Sequence, residues 1–373
     1  MSHSENAPSD SSSGIKNILL TGATGFIGAH LLTNILNHTD ARVICLVLGG
    51  SLPEANQTIA ANLERHQLSV DWSRVSLVLG DLSQPLFGMS DADYDSLKQA
   101  VDLIIHAGAD VSLLRDYEQL KAVNVGGLGR VLEFANGERR IPVTHLSSYS
   151  VFNEASYREE QVVFEEPLRR TEPIFRNGYA KSKWMAEFLC EQAHAAGAPV
   201  KILRLPYISG AASTGICNPR GYIDHILKSV LLSSLAPELD FNLTCLPVDI
   251  CADFVVRISL QSAVAPCIFH LTPLEPIPSS EIYEAASNYV HNLEYLPSIE
   301  WYQHIKKCAL THRELFPVVA LLAQDSSLMQ FRSNIHRLHF DTNNLTPYLG
   351  EAPAFPQGRS AYLRRYMESI AKI

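Results

Sequence analysis

Residues Thr21 to Gly28 read T-G-A-T-G-F-I-G, with glycines at Gly22, Gly25 and Gly28. The segment follows an apolar run, Lys16 to Thr21, and opens a stretch, Phe26 to Leu36, whose apolar residues recur at helical spacing; Val43 to Leu48 is a second apolar run. The order strand, glycine turn, helix, strand constrains the fold more than composition does. Glycines there let the backbone turn tightly and let a pyrophosphate approach the N–H groups at the positive end of a helix. Gly22, Thr24, Gly25, Phe26, Ile27 and Gly28 are therefore candidate contacts to a dinucleotide.

The same alternation continues. Val75 to Leu79, Val101 to His106, Pro142 to Ser147 and Val200 to Leu205 read as buried strands, and Ser90 to Ala100, Glu118 to Ala135 and Ala180 to Ala196 as helices. Apolar strands without two-residue alternation, interleaved with amphipathic helices, predict a doubly wound parallel α/β sheet of the Rossmann type over residues 15–210. After about Pro206 the strands shorten, to Thr244 to Val248 and Ile268 to Leu271. Residues 211–373 are expected to form a smaller, mainly helical substrate- or carrier-binding part that returns some strands to the main sheet. Met1 to Gly14 is polar and serine-rich and reads as a disordered tail.

Charge and composition exclude some classes. A net charge of −9 disfavours nucleic acid and anionic membranes as partners. No run approaches the ~20 apolar residues of a membrane helix. Seven cysteines without a C-x-x-C pair suit free thiols in a reducing, cytoplasmic compartment. His106, His145 and His225 are scattered without metal-ligand spacing, so no metal site is expected.

Tyr179 and Lys183 lie four apart in G-Y-A-K-S-K-W-M-A-E at the start of a helical segment, so both share one face. An ammonium beside a phenol favours phenolate and should lower the tyrosine pKa, which suits general acid–base chemistry. Ser147 and Ser148 close the preceding strand, where ligands of parallel sheets bind. Asp81 and Asn124 could be caps and nothing more. After Val43 to Leu48 come Gly49, Gly50 and Ser51. Neither an acidic residue for a ribose hydroxyl nor an arginine for a 2′-phosphate stands at that strand end, which leaves NAD and NADP both open.

Taken together, TGATGFIGAHLL, GDLSQPLFG, HAGADVSLL, NVGGLGRVLEFA, HLSSYSVF, GYAKSKWMAE, RLPYISG, LPVDICADFV and FDTNNLTPYL resemble the thioester reductase domains that end nonribosomal peptide synthetases and carboxylic acid reductases, within the extended short-chain dehydrogenases/reductases. The resemblance implies reductive release of an acyl or peptidyl thioester from the phosphopantetheine arm of a carrier protein, giving an aldehyde or, after a second hydride, an alcohol. It implies Ser148, Tyr179 and Lys183 as the catalytic set. It further implies that Leu48, Asp81, Leu82, Ala107, Gly108, Ala109, Asn124, Ser147, Pro206, Tyr207 and Ile208 line NADP(H), with Asp81 near the adenine and Pro206 to Ile208 past the nicotinamide. Two family arginines that grip the 2′-phosphate are Leu48 and Thr58 here, so NAD(H) is a real alternative. A monomer is expected, with Arg169, Arg170 and Arg176 as candidates for meeting an acidic carrier protein. The competing readings are a reductase or epimerase of a free small molecule, a redox-neutral Dieckmann-type cyclase, and a non-catalytic carrier-binding module.

Overall fold

The computed structural model describes residues 14–152, 161–169, 171, 173–175, 177–261, 267–273, 275–324, 338–355 and 358–372. Its first half runs β1 (Asn17–Thr21), α1 (Phe26–His38), β2 (Arg42–Val47), α2 (Leu52–Arg65), β3 (Val75–Leu79), α3 (Asp91–Ala100), β4 (Leu103–His106), α4 (Tyr117–Asn124), α5 (Gly126–Ala135), β5 (Val143–Ser148), β6 (Val162–Val163), α6 (Gly178–Ala195) and β7 (Val200–Leu205). There follow β8 (Tyr207–Ser209), α7 (Tyr222–Ser233), β9 (Leu235–Pro237), β10 (Asn242–Leu243), β11 (Cys245–Pro247), α8 (Val248–Leu260), β12 (Ile268–His270), β13 (Ile277–Pro278), α9 (Ser279–Ser287), β14 (Glu294–Leu296), α10 (Ser298–Cys308), α11 (Phe316–Gln324), β15 (His339–Phe340), α12 (Leu345–Leu349) and α13 (Arg359–Lys372).

Seven strands form one sheet in the order β12-β7-β5-β4-β1-β2-β3, every neighbour parallel. This is the doubly wound architecture the sequence predicts. Both faces are covered, which is why the strands read as unbroken apolar runs. Ile18 and Leu20 of β1 join α1, α2 and α8 in one core, while Leu19 joins α3, α5 and α6 in the other. Residues far along the chain complete this body: α8 packs on α1, and β12 extends the sheet beyond β7.

Two expectations need correction. Glu118 to Ala135 is two helices, because the backbone at Val125 (φ −99°, ψ −54°) ends α4 and begins α5. The break lets Gly127 approach Leu82 so closely that a Cβ on Gly127 would sit 3.0 Å from that of Leu82. The strand at Thr244 to Val248 is β11, which pairs with β8 in a separate two-stranded sheet. A further apolar core, built from α7, α9, α10, α11 and α13 around Trp301 and Tyr362, lies in the C-terminal half. Among the described residues no helix is long and apolar enough to cross a membrane.

Candidate active site

The chain leaves β1 toward β2 on one side and reaches β4 on the other, so strand order reverses between β1 and β4. Crevices at such switch points, outside the carboxyl ends of the strands, are where open α/β sheets bind ligands. The glycine turn fills this position. Gly22 has φ +80°, and a Cβ there would lie 2.7 Å from the Ala107 carbonyl carbon. A Cβ on Gly28 would lie 2.0 Å from the Gly22 carbonyl oxygen. Thr24 and Gly25 are exposed, and Gly25 begins α1 without a side-chain cap, leaving the first-turn amides of Phe26, Ile27 and Gly28 without the usual hydroxyl or carboxylate at the helix entrance. We expect Gly28→Ala to lower the melting temperature and abolish dinucleotide binding, whereas Gly25→Ala, whose Cβ would meet the Gly22 oxygen at 3.2 Å, should be milder. Equal behaviour of the two variants in thermal melts and nucleotide titrations would contradict this packing account.

Beside the turn, the Thr21 hydroxyl accepts from the Gly108 amide (2.9 Å) and contacts His106 Nδ1 (2.8 Å). Burial lowers the His106 pKa to about 3, so the ring is neutral and its Nδ1 can accept the hydroxyl proton. This fixes the Ala107–Gly108–Ala109 loop. Asn124 pins the next residue: its Oδ1 accepts from the Asp110 amide (2.8 Å), and its Nδ2 donates to the Asp110 carbonyl and to Ser182 Oγ, both at 2.9 Å. Asn124 is thus a tie between this loop and α6, with its side-chain atoms already bonded.

At the ends of β5 and α6, Ser148 and Tyr179 share a side-chain hydrogen bond. Lys183, one turn along α6, donates to the Leu146 carbonyl (2.8 Å) and lies 6.0 Å from the Tyr179 ring centroid. Asn177 caps α6 by accepting from the Ala180 amide (2.8 Å), which orients the turn bearing the tyrosine. Burial pushes the Tyr179 pKa up to about 12 despite the opposing Ser148 bond. The expectation of a lowered tyrosine pKa is therefore corrected: burial of the phenol dominates, and the group that opposes it is Ser148. Burial likewise brings Lys183 down to about 8, opposed by the charge of Glu187.

The two adjacent serines have different surroundings. Ser148 faces Tyr179, whereas the Ser147 hydroxyl donates to Glu187 inside the protein. Asp81 Oδ1 accepts from the Ser83 amide (2.7 Å), shaping the turn that carries Leu82. Leu48 projects from the end of β2 with 76% of its surface exposed. Pro206 leads from β7 into β8, where Ile208 packs on the main core and the Tyr207 hydroxyl donates to Asp224 (2.5 Å). Arg170 and Arg176 lie outside the described residues; Arg169 is exposed.

The chain is similar to known proteins in sequence and in fold. Residues 20–255 match an NAD-binding family described as "Male sterility protein". The chain is 34% identical over 289 residues to the isonitrile lipopeptide synthase of Streptomyces coeruleorubidus, covering 76% of this chain and 19% of that protein. It is 31% identical over 293 residues to a linear gramicidin synthase of Brevibacillus parabrevis, covering 78% of this chain and 6% of that protein. It thus spans a fifth or less of either relative. The terminal R domain from the myxalamid PKS-NRPS biosynthetic pathway superposes with a TM-score of 0.87 at 30% identity, covering 96% of this chain and 91% of that one. The chain belongs to the thioester reductase family of the extended short-chain dehydrogenases/reductases. A nicotinamide dinucleotide is the cofactor of such a reductase, and the uncapped entrance of α1 fits its pyrophosphate.

Local sequence patterns leave part of the reductase's site unannounced. Glu187 and Arg204 form a fully buried ion pair (2.9 Å), and the Glu187 charge acts on Lys183. Glu187 extends the spacing of Tyr179 and Lys183 by one more turn of α6, and that periodicity is the signal that could have found it.

Proposed function

We propose that the reductase releases an acyl or peptidyl chain from the phosphopantetheine thiol of a carrier protein by reducing its thioester to an aldehyde. The observation that carries this reading is the Ser148–Tyr179 hydrogen bond, with Lys183 one turn away, across the strand ends from the glycine turn. The synthase relatives support a carrier-bound substrate, since the matched stretch is a small part of each.

Gly22 to Gly28, Asp81, Leu82, Ala107 to Ala109 and Lys183 would hold a nicotinamide dinucleotide, which when bound would supply the hydride. Tyr179 is protonated across the neutral range and stands ready to donate as the carbonyl oxygen gains charge, with the Ser148 hydroxyl sharing that charge. Lys183 stabilises the phenolate left behind. The oxygen keeps the proton, giving a hemithioacetal. The Tyr179 phenolate takes back the O–H proton of the hemithioacetal as the C=O bond reforms and the C–S bond cleaves, and the departing thiolate takes up a proton from water. Aldehyde and free carrier thiol result.

Incubation of the protein with an acylated carrier protein and NADH or NADPH is expected to give the aldehyde or alcohol by mass spectrometry, in step with nicotinamide oxidation. Release of a cyclised product or free acid without nicotinamide oxidation would refute the proposal. So would reduction of free carbonyl compounds but not of the carrier-bound thioester.

A further inference from the structure

The corner that receives the adenosine ribose lies at the ends of β2 and β3. From Val43 to Glu64 and from Val75 to Leu97 the chain has no lysine or arginine, while its acids there are Glu54, Glu64, Asp81, Asp91, Asp93 and Asp95. Arg130 of α5 lies outside both segments; it keeps its charge and donates from Nη1 to the Leu82 carbonyl (3.3 Å). Helix α2 borders this corner. Its Asn62 donates to the Gly25 carbonyl (2.9 Å), which turns one face of α2 toward the glycine turn. Thr58 and Glu54 lie one and two turns earlier on that same face.

At the start of α2, Ser51 Oγ accepts from the Glu54 amide (3.3 Å). The Glu54 carboxylate reaches back to accept from the Gly50 amide (3.2 Å), and Thr58 Oγ1 donates to the Glu54 carbonyl (2.9 Å). The Gly50 amide, just before the helix entrance, is thus taken by the protein's own carboxylate.

Resting on the reductase reading above, we propose that Glu54 selects NADH over NADPH. A free 2′-hydroxyl can donate to a carboxylate that already points into the corner, in the manner of the acidic residue that other dinucleotide folds place nearer the strand end. A 2′-phosphate brings between one and two further negative charges and would meet Glu54 with no cation from either strand-end loop.

Titration calorimetry of the whole chain with NADH and with NADPH tests this without relying on turnover. Wild type is expected to bind NADH at least about tenfold more tightly, a gap of 1.4 kcal/mol. Glu54→Gln, which keeps an acceptor for the Gly50 amide, should narrow that gap about tenfold, and Leu48→Arg with Thr58→Arg should reverse it. Tighter binding of NADPH by wild type, or an unchanged ratio in Glu54→Gln, would overturn the role of Glu54 and leave the reductase reading intact. Binding of neither nucleotide by folded protein would overturn both.

Discussion

Replacing Tyr179 with phenylalanine will slow reduction of the carrier-bound thioester by about 10²–10⁴-fold, the range of a lost general acid. The substitution removes one hydroxyl and its bond to Ser148, a net contribution of about 1 kcal/mol to stability. Melting temperature and nucleotide affinity should therefore change little, and the loss should fall on kcat. The pH profile of the wild type adds a second check. Tyr179, pushed up to about 12, keeps its proton throughout the working range. Lys183 is brought down from 10.5 to about 8, so its ammonium is present below that pH and lost above it. Turnover should accordingly decline as pH rises through about 8, while the tyrosine is still protonated. A Tyr179→Phe enzyme within a few-fold of wild type would remove the phenol from the mechanism. A flat profile from pH 7 to 10 would remove the lysine ammonium.

How far the sequence discloses this site depends on whether its parts are local. The glycine turn and the Tyr179–Lys183 spacing are written in a few consecutive residues, so their chemistry is readable before any fold is known. The placement of β12 beside β7 is not, because it depends on a strand of three residues whose partner lies over sixty positions earlier. The same holds for FDTNNLTPYL. Its Asn344 donates to the carbonyls of Glu165 (3.0 Å) and Ile268 (2.9 Å), a clamp between three distant segments that no local pattern announces. Helix α2 is easily passed over between two strands, although Ser51 and Glu54 form a capping signature at its start. Residue type and spacing do not separate Ser147 from Ser148; only the family resemblance points to Ser148, and it is the packing of α6 that turns one hydroxyl to Tyr179 and the other to Glu187.

Glu187→Ala should destabilise the protein by about 3–5 kcal/mol, the cost of leaving one member of a buried ion pair without its partner. Glu187 and Arg204 are both inaccessible to solvent. Arg204 Nε donates to both Glu187 oxygens (3.2 and 3.0 Å), and its Nη2 donates to Glu187 Oε2 and the Glu166 carbonyl, each at 2.9 Å. Its Nη1 donates to Nε2 of His270 (3.2 Å), whose pKa burial holds well below the usual range, so that nitrogen can accept. The alanine variant strands the guanidinium where water cannot replace the lost carboxylate. Glu187→Leu combined with Arg204→Met should recover much of the stability, because two apolar groups need no solvation. Recovery should be incomplete, since the Glu166 carbonyl loses a donor. Denaturant unfolding of the single and double variants measures both effects, and a cost below about 1 kcal/mol for Glu187→Ala would show that the pair is not the clamp described. The double variant also separates structure from chemistry. It removes the anion that raises the Lys183 pKa, so its alkaline decline in turnover should begin at a lower pH than in wild type. A folded double variant with an unshifted profile would confine Glu187 to a structural role.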